Sequence, residues 1–569
     1  RHTDEGAKPQ RLCYWSYTDG ARACEGGTHS VRITVNADFS VKYYCHACRR
    51  TGQIVSSPFL FGHLMPVCRD TAPPVGFEGG FIDYAEGNFL IERDSLFMRE
   101  LMPIAPAAGG PPVYVDSERK RTIVLHSGMG TGKSVAVYWY IRNAYRENRL
   151  ARRAPGGAGR RRLRVLSVSF RVMLAQNVAK SFNLVNYKAE SGSLYDIDRV
   201  ACQLDSLPRL MSEMDEMDDN HYLRTYDVVI MDESESILSH LSSETVRVHR
   251  DTVHRIMSML VRKATVVIVC DADVGQRTLH FLRALRGGAV VSIPNVEYHR
   301  NRFVRNCPLY TDYKSFATWA MRLRTTLLDR ERNVFVCSSN KERLHCVYRF
   351  VQDGIEERLR RDDITVEKRA FLEGLSGPDR IIILDSELSG EAKKKMAEEC
   401  NTVWARAALL GITPVVGAGI SYNKQTFHEA FVYGCTSTCP PRALLQLFGR
   451  VRTLLDKHCH IYTDERPPHP TKQNRSPVTL YDAKAAVARQ HADNLREPII
   501  DIVGDLVDPS RLLIRRPVPD ALLADIAAMN LVEANRGKVM YRDTLIRVLQ
   551  DTDPDTQYNF DTTYNEYGE

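Results

Sequence analysis

The sequence predicts an α/β protein in which two parallel sheets follow one another along the chain. Strand-like apolar runs alternate with helix-like segments from Arg121 to about residue 475, a pattern that is typical of parallel sheets covered by helices on both faces. The alternation restarts near Asn301, which predicts one domain at 116–300 and a second at 301–475. A glycine-rich turn that ends in Gly-Lys-Ser, between a strand and a helix, occurs in the first of these domains and not in the second. Any site built on that turn is therefore expected to serve both domains.

The composition is that of an ordinary soluble globular chain. Of the 569 residues, 43% are hydrophobic and 26% are charged, and no apolar run approaches the roughly 20 residues that a membrane helix requires. The net charge of +7 is too mild to indicate a nucleic-acid partner by itself. Cysteines such as Cys270 and Cys337 stand singly in apolar strands, which favours free thiols and a reducing, intracellular compartment. Because residue 1 is an arginine, we expect the chain to be a fragment or a processed piece.

Residues 1–60 are predicted to form a small module around a metal ion. Two strand-like runs, Val31 to Val35 and Val41 to Tyr44, precede a Cys-x-x-Cys pair, which together make a common zinc scaffold. A module of this size builds little core without a metal. The alternative is that the cysteines are reduced surface residues in a disordered leader. The candidate zinc ligands are Cys45 and Cys48 of the pair and, upstream of them, His29, Cys24 and Cys13.

Three further segments carry no evident chemistry. Residues 61–115 are rich in proline and glycine and are predicted to be a linker with one helix. Residues 476–550 include two stretches of helical composition and predict a small helical accessory domain. Residues 551–569 are acidic and are predicted to be a disordered tail.

Residues 127–134, Ser-Gly-Met-Gly-Thr-Gly-Lys-Ser, lie between a strand-like run and a helix-like run. This arrangement is typical of the phosphate-binding loop of nucleotide hydrolases, because the glycines let backbone N–H groups approach the phosphates at a helix N-terminus. Lys133 is expected to contact the β- and γ-phosphates of ATP, and the Ser134 hydroxyl is expected to hold Mg²⁺. The alternative is an ordinary glycine turn. The predicted nucleotide-binding residues of the loop are Gly128, Gly130, Thr131, Gly132, Lys133 and Ser134.

An apolar strand at 227–231 ends in two carboxylates, Asp232 and Glu233. ATP hydrolysis needs such a pair: Asp232 would hold Mg²⁺ through water, and Glu233 would orient and deprotonate the attacking water. A further strand, Thr265 to Val269, ends at Cys270-Asp271-Ala272-Asp273, where a relay between the ATP site and a DNA strand is expected.

The second domain offers hydroxyls and arginines instead of a phosphate loop. The strand at 333–339 ends in two serines, the strand at 413–422 enters a glycine-rich loop, and the segment 446–452 contains Arg450 and Arg452. We expect these arginines to reach across the cleft to the nucleotide held by the first domain.

Taken together, these stretches resemble superfamily 2 helicases, and among them the replication origin-binding helicases of herpesviruses and related large DNA viruses. The resemblance extends over about Thr122 to Leu454 and implies two RecA-like domains in tandem and ATP-dependent 3′-to-5′ movement on DNA. Two positions depart from the usual pattern, since Glu235 stands where many helicases have His or Asp and Thr453 stands where many have a second arginine. The motifs that carry the resemblance lie at 127–134, 169–171, 203–210, 232–235, 418–421 and 446–452.

The resemblance also implies roles for individual residues. Gln446 would contact the nucleotide, and Arg450 together with Arg452 would stabilise charge on the transferring phosphoryl group. The predicted contacts to the DNA backbone are Arg171, Ser338 and Ser421.

The spacing Cys24-x₄-His29, a hairpin and Cys45-x₂-Cys48 is similar to the zinc motif of primases of the herpesvirus primase and PrimPol kind. That similarity implies a Cys-His-Cys-Cys zinc site, in which Cys13 is an alternate to Cys24.

The sequence thus predicts an ATP-dependent DNA helicase or translocase of viral-type replication, the helicase part of a primase–helicase. Its expected cofactors are ATP, Mg²⁺ and Zn²⁺, and its expected partners are single-stranded or forked DNA, a primase and a polymerase, without a membrane. The expected location is the host nucleus or a cytoplasmic viral replication site. The alternative is a nucleotide-switched DNA-binding scaffold that recruits primase or polymerase without unwinding.

Overall fold

The structure is a computed structural model that divides into two compact units, Arg1–Met65 and Pro66–Glu569. The residues that it describes are 31–35, 41–45, 51–54, 81–84, 115, 120–129, 132–155, 160–212, 223–287, 296–301, 309–377, 379–389, 395, 399–414, 420, 422–464, 480–494, 520–539, 541–552 and 558–561.

The described part of the first unit is a three-stranded antiparallel sheet in the order β1-β2-β3, formed by β1 (Val31–Val35), β2 (Val41–Cys45) and β3 (Thr51–Ile54). The two strands that the sequence predicts pair in register, with Val31 opposite Cys45 and Val35 opposite Val41. The zinc site stays a prediction, because Cys13, Cys24, His29, Cys48 and the side chain of Cys45 lie outside the described part of the chain.

The first predicted α/β domain contains an eight-stranded parallel sheet in the order β4-β11-β5-β10-β9-β6-β8-β7. Helices cover both faces, so the central strands are buried on both sides and consist of nearly continuous apolar residues. The strands are β4 (Phe81–Tyr84), β5 (Arg121–Ser127), β6 (Val165–Ser169), β7 (Val185–Asn186), β8 (Arg199–Gln203), β9 (Val228–Asp232), β10 (Val266–Asp271) and β11 (Val296–Asn301).

The second domain contains a seven-stranded parallel sheet in the order β14-β15-β13-β16-β17-β12-β18. The strands are β12 (Leu309–Tyr313), β13 (Val334–Ser338), β14 (Ile381–Leu384), β15 (Leu409–Ile412), β16 (Glu429–Cys435), β17 (His458–Asp464) and β18 (Tyr558–Asp561). The two predicted parallel α/β sheets are therefore confirmed as tandem RecA-like domains.

Two edge strands differ from the sequence prediction. β4 lies inside the predicted linker and pairs with β11, and β18 lies inside the predicted disordered tail and pairs with β12. The prediction of a structureless tail is therefore wrong at residues 558–561. Both strands have four residues and sit at a sheet edge, so their formation depends on a neighbour that is distant in sequence.

Helices pack on both sheets, and three more described helices follow the second domain. In chain order they are α1 (Lys133–Arg153), α2 (Val172–Phe182), α3 (Ser234–His240), α4 (Arg250–Lys263), α5 (Gln276–Arg286), α6 (Phe316–Arg324), α7 (Lys341–Leu359), α8 (Val366–Gly374), α9 (Cys400–Val403), α10 (Pro441–Phe448), α11 (Leu480–Asn494), α12 (Ala521–Val539) and α13 (Tyr541–Thr552). Short 3₁₀ segments occur at Tyr187–Ala189, Leu204–Leu210, Glu244–His249 and Trp404–Arg406, and a π-helical turn occurs at Thr325–Asp329. Among the described helices, none combines the length and the apolar character needed to cross a bilayer.

Candidate nucleotide site at the interdomain cleft

Three adjacent strands bring the predicted catalytic groups of the first domain together. β5, β10 and β9 are neighbours in the sheet, with Asp271 beside His126 and Cys270 beside Asp232. Since the strands are parallel, their carboxyl ends meet at one edge, which is where ligands bind in open α/β sheets.

The phosphate loop connects β5 to α1. Gly132, the residue before α1, has a φ of 93°, a left-handed conformation that favours glycine. The Lys133 ammonium folds back and donates to the carbonyl oxygens of Ser127 and, at 2.8 Å, of Gly128. Burial lowers the pKa of Lys133, while Asp232 and Asp271 oppose the shift. Ser134 is exposed at the start of α1, and the predicted contacts Gly130 and Thr131 lie outside the described residues.

The two carboxylates after β9 differ in environment. Burial and the neighbouring Glu233 raise the pKa of Asp232 to about 6, while Lys133 and Arg450 oppose the shift. A buried carboxylate whose charge is this poorly compensated fits a divalent cation, which prefers oxygen ligands.

Glu233 is held by its backbone in a conformation that is costly for a residue with a side chain. Its φ is 61°, and its N–H donates to the Cys270 carbonyl at 2.8 Å. A non-glycine residue in this region costs about 1–3 kcal/mol and is often found at functional sites. Among the described residues, its Oε2 atom has no hydrogen-bond partner although it is buried. That oxygen is therefore available to accept a proton from a water molecule.

The second domain delivers arginines to this site. Arg450 follows α10, is only 7% exposed, and places Nη2 3.5 Å from Oε1 of Glu233. The charge of Arg452 contributes to lowering the pKa of Lys133, so it acts on the phosphate loop. Gln446, on α10, donates to the Ser236 hydroxyl of the first domain at 3.4 Å. Arg450 is thus brought to the predicted residue Glu233 and Arg452 to the surroundings of Lys133. Gln446 instead contacts Ser236, which the sequence does not single out.

The two domains touch closely at the phosphate loop. A Cβ atom on Gly449 would collide with the terminal methyl carbon of Met129. The absence of a side chain at Gly449 therefore lets the loop of the first domain approach the end of α10.

The residues predicted to contact DNA occupy different environments. Arg171 donates to the Pro414 carbonyl of the second domain at 3.0 Å and lines an interdomain cleft of about 1040 Å³. Burial lowers the pKa of Arg171. The charge of Glu233 opposes this shift, and the charge of Arg450 adds to it. Ser338 is buried and its hydroxyl donates to the Asn340 carbonyl at 2.7 Å, so it is engaged in a turn. Ser421 lies outside the described residues, and all three contacts stay predictions.

An ionic cluster that no sequence pattern indicates lies beside Asp232 and Glu233. Glu235 of α3 pairs with Arg277 of α5 at 2.8 Å, and Arg277 pairs with Glu533 of α12 at 2.7 Å. Glu533 also pairs at 3.3 Å with Arg442 of the second domain. We call Glu235, Arg277, Arg442 and Glu533 the bridging cluster.

A second polar cluster lies in the second domain, where Glu429, His458 and His460 have the residue types of a metal site. Their atoms are already engaged: His460 contacts Glu429 at 2.8 Å and Tyr313 at 2.9 Å, and Arg322 lies 3.5 Å from the same Glu429 oxygen. We interpret this group as a hydrogen-bonded core network.

The fold and the site define a class of protein. Two RecA-like domains, one phosphate loop, an Asp-Glu pair and arginines from the second domain are the parts of a superfamily 2 helicase motor. Comparison with known families narrows this further. The family model described as origin of replication binding protein, of the herpesvirus type, matches residues 111–480, and the chain belongs to this family.

Relatives in this family come from several large DNA viruses. An uncharacterized putative helicase of Acanthamoeba polyphaga mimivirus is 24% identical over 452 residues, which is 75% of this chain and 38% of that protein. A putative helicase/primase complex protein of African swine fever virus is 25% identical over 367 residues, 64% of this chain and 30% of that protein. The replication origin-binding protein of varicella-zoster virus is 24% identical over 363 residues, 61% of this chain and 39% of that protein. The chain thus spans less than two fifths of the length of each.

Among solved structures, a DEAD-box helicase bound to single-stranded RNA matches with a TM-score of 0.42 at 13% identity, covering 80% of this chain and 93% of that one.

Proposed function

We propose that this chain is an ATP-dependent DNA helicase or translocase that works in viral DNA replication, as the helicase part of a primase–helicase. The observation that carries the proposal is the meeting of Glu233 and Arg450 across the cleft, 3.5 Å apart, with the second Glu233 oxygen free of hydrogen bonds among the described residues. A protein that binds nucleotide as a switch without turning it over has little need of a base or an arginine at this position. The names of the relatives from African swine fever and varicella-zoster viruses support the replication role.

The residues divide the work of hydrolysis. Lys133 exchanges its backbone carbonyl contacts for the β- and γ-phosphate oxygens of ATP. Ser134 and Asp232 would hold Mg²⁺, which when bound neutralises charge on the phosphates. Glu233 orients the attacking water and accepts its proton at Oε2, and Arg450 stabilises the charge that develops on the transferring phosphoryl group.

ATP hydrolysis would drive movement along DNA by changing how the two domains are placed relative to one another. Arg171, Gln446 and Arg450 each contact the opposite domain, so closure over ATP and reopening after hydrolysis would change the surface offered to a DNA strand. The proposed substrate is single-stranded or forked DNA, and the proposed partners are a primase and a polymerase. We further propose that the N-terminal module binds zinc and that the protein works in the host nucleus or at a cytoplasmic replication site.

The test is ATP turnover with and without single-stranded DNA, followed by strand displacement on duplexes with 3′ or 5′ tails. Lys133→Ala should lower turnover by about a hundredfold or more, because it removes charge stabilisation in the transition state, and should leave DNA binding intact. Lys263→Ala, which changes an exposed lysine of α4, is the matched control. Wild-type turnover by Lys133→Ala would refute the assignment of the loop. Binding of ATP and DNA by the wild type without turnover would instead favour the nucleotide-switched scaffold.

A further inference from the structure

Helix α12 is docked on the first RecA-like domain. Ile526 is fully buried within the core of that domain. The Asn530 amide donates to the Leu238 carbonyl at 3.1 Å and to the Ser242 hydroxyl at 2.7 Å, both near the end of α3. Asp525 contacts His280 of α5 at 3.0 Å. These contacts hold α12 against α3, which follows β9, and against α5, which follows β10.

The next helix, α13, is docked on the second domain. Tyr541 is 1% exposed and lies over Gly434 of β16, where a Cβ atom would come within 2.6 Å of the ring. Arg542 donates to the Asp312 carboxylate of β12 at 2.6 Å. Because α12 ends at Val539 and α13 begins at Tyr541, a single residue joins the element on one domain to the element on the other. A large separation of the domains must therefore break one docking surface or bend this joint.

Glu533 occupies the centre of the bridging cluster. One of its carboxylate oxygens contacts Arg277 of the first domain at 2.7 Å and the other contacts Arg442 of the second domain at 3.3 Å. Burial raises the pKa values of most carboxyl groups, yet the pKa of Glu533 is lowered, because Arg277 and Arg442 favour its charged form. Glu533 is therefore a charged residue of α12 that contacts both domains.

Both arms of the cluster lead to the catalytic groups. On one side, Arg277 contacts Glu235, which is two residues after Glu233 and whose Oε1 accepts from the N–H groups of Gly275 at 2.9 Å and Thr278 at 3.0 Å. On the other side, Arg442 lies on α10, the helix that leads into Arg450, and it donates to the Asp273 carbonyl at 2.7 Å. The cluster thus connects the helix after the predicted base to the helix before the predicted arginine finger.

We propose that Glu533 is a positioning residue for ATP hydrolysis, which sets the approach of Arg450 to Glu233 by holding Arg277 and Arg442 together. The proposal rests on the function proposed above. Glu533 belongs to the accessory helix, and the groups that it contacts are the two arginines, so its loss changes how the domains meet. ATP affinity in the first domain depends on the phosphate loop and should be retained.

The experiment compares Glu533→Gln with Asp525→Asn in the full chain. Glu533→Gln keeps the shape of the side chain and removes the charge. It should lower kcat for ATP by about tenfold to a hundredfold, because small displacements of catalytic groups have effects of this size, with KM for ATP unchanged. Asp525→Asn changes a carboxylate on the same helix that contacts His280 and Lys484 and no group of the second domain among the described residues, and it should leave kcat unchanged.

A second arm uses the partner arginine. Arg442→Gln also removes the hydrogen bond to the Asp273 carbonyl, so it should lower kcat at least as much as Glu533→Gln does. The double variant Glu533→Gln/Arg442→Gln should lose no more than Arg442→Gln alone, because residues that act through one contact are not additive. Thermal unfolding of each variant reports whether the fold is retained. If Glu533→Gln does not fold, Arg442→Lys is measured in its place. That variant keeps the charge, cannot contact Glu533 and the Asp273 carbonyl through separate nitrogens as Arg442 does, and should also lower kcat with KM for ATP unchanged.

The outcomes separate the two proposals. Wild-type kcat in folded Glu533→Gln, or additive losses in the double variant, would overturn the positioning role while the motor function stands. A loss of ATP affinity at unchanged kcat would also overturn it. Absence of ATP turnover in the wild type would overturn the proposed function itself.

Discussion

Replacement of Arg450 by alanine tests whether the second domain completes the catalytic site. The structure places the Arg450 guanidinium 3.5 Å from Glu233, with 8% of its side chain exposed. At that distance the ion pair is long, so it contributes little to the stability of the site before the reaction. By contrast, an arginine that acts on the charge developing in the transition state is worth about 10³ to 10⁵ in rate. That range corresponds to about 4–7 kcal/mol of transition-state stabilisation. We therefore expect Arg450→Ala to bind ATP almost normally and to hydrolyse it at least a thousandfold more slowly, as the arginine-finger estimate predicts.

The pH profile gives an independent measure of the same substitution. Burial raises the pKa of Asp232 to about 6, and Arg450 is one of the two cations that oppose the shift. Because Mg²⁺ binding requires the charged carboxylate, wild-type kcat/KM should fall as pH drops below about 6. Without the Arg450 charge the pKa of Asp232 rises further, so the acidic limb should move to higher pH in Arg450→Ala.

The assay is steady-state ATP turnover from pH 5 to 9 with DNA at saturation, together with equilibrium binding of a fluorescent ATP analogue. Arg452→Ala, measured beside it, shows which arginine has the larger role, and Arg450→Lys shows whether charge alone suffices. Loss of nucleotide binding with an unchanged rate at saturation would make Arg450 a ground-state clamp. Two variants with wild-type rates would refute the view that the second domain completes the site.

Three further predictions concern stability and metal content. Burial lowers the pKa of His460 to about 4, and the neighbouring Glu429 has its pKa lowered to about 2 despite its burial, because His460 and Arg322 favour the charged form. Both groups bind protons more readily in the unfolded chain, so the second domain should become less stable as pH falls. Between about pH 6.5 and 4 the loss comes mainly from protonation of His460 in the unfolded chain. His460→Gln should therefore flatten the pH dependence of the free energy of unfolding, as measured by thermal unfolding scans. Gly434→Ala should lower the free energy of unfolding by about 1–3 kcal/mol, because the added methyl group displaces the Tyr541 ring. The displacement should make α13 more sensitive to proteolysis, and unchanged proteolysis would contradict the close contact between Gly434 and Tyr541. One zinc ion per chain is expected in metal analysis, and Cys45→Ser should unfold residues 1–60 while ATP turnover continues; a chain purified without chelators and free of zinc would contradict the predicted site.

Much of the site could be predicted because its chemistry is local in sequence. The phosphate loop is one uninterrupted turn between β5 and α1, and Asp232 and Glu233 end one apolar strand. Parallel pairing then brings these ends together without further information, since the carboxyl ends of neighbouring strands share one edge. The meeting of Arg450 with Glu233 also follows, once one phosphate loop has to serve two domains.

The rest of the structure depends on pairs that are far apart in sequence. Glu533 lies 256 residues from Arg277 and 91 from Arg442, and an alanine-rich helix gives no sign of which carboxylate it will bury. The edge strands β4 and β18 have only four residues each, too few for a periodic signal. Their prediction requires knowing which edge of a finished sheet is open.

Glu235 shows how such a distant contact changes the meaning of a local departure. In the sequence it is an exception, since many helicases have His or Asp at the fourth position of this motif. In the structure its longer side chain reaches the start of α5, where two backbone N–H groups and Arg277 hold it. A glutamate buried this deeply requires a cation, and Arg277 in turn has a second carboxylate partner in Glu533. The unusual residue at this position is therefore linked to α12. Arg277 stabilises the Glu235 carboxylate, and Glu533 of α12 holds Arg277 in place.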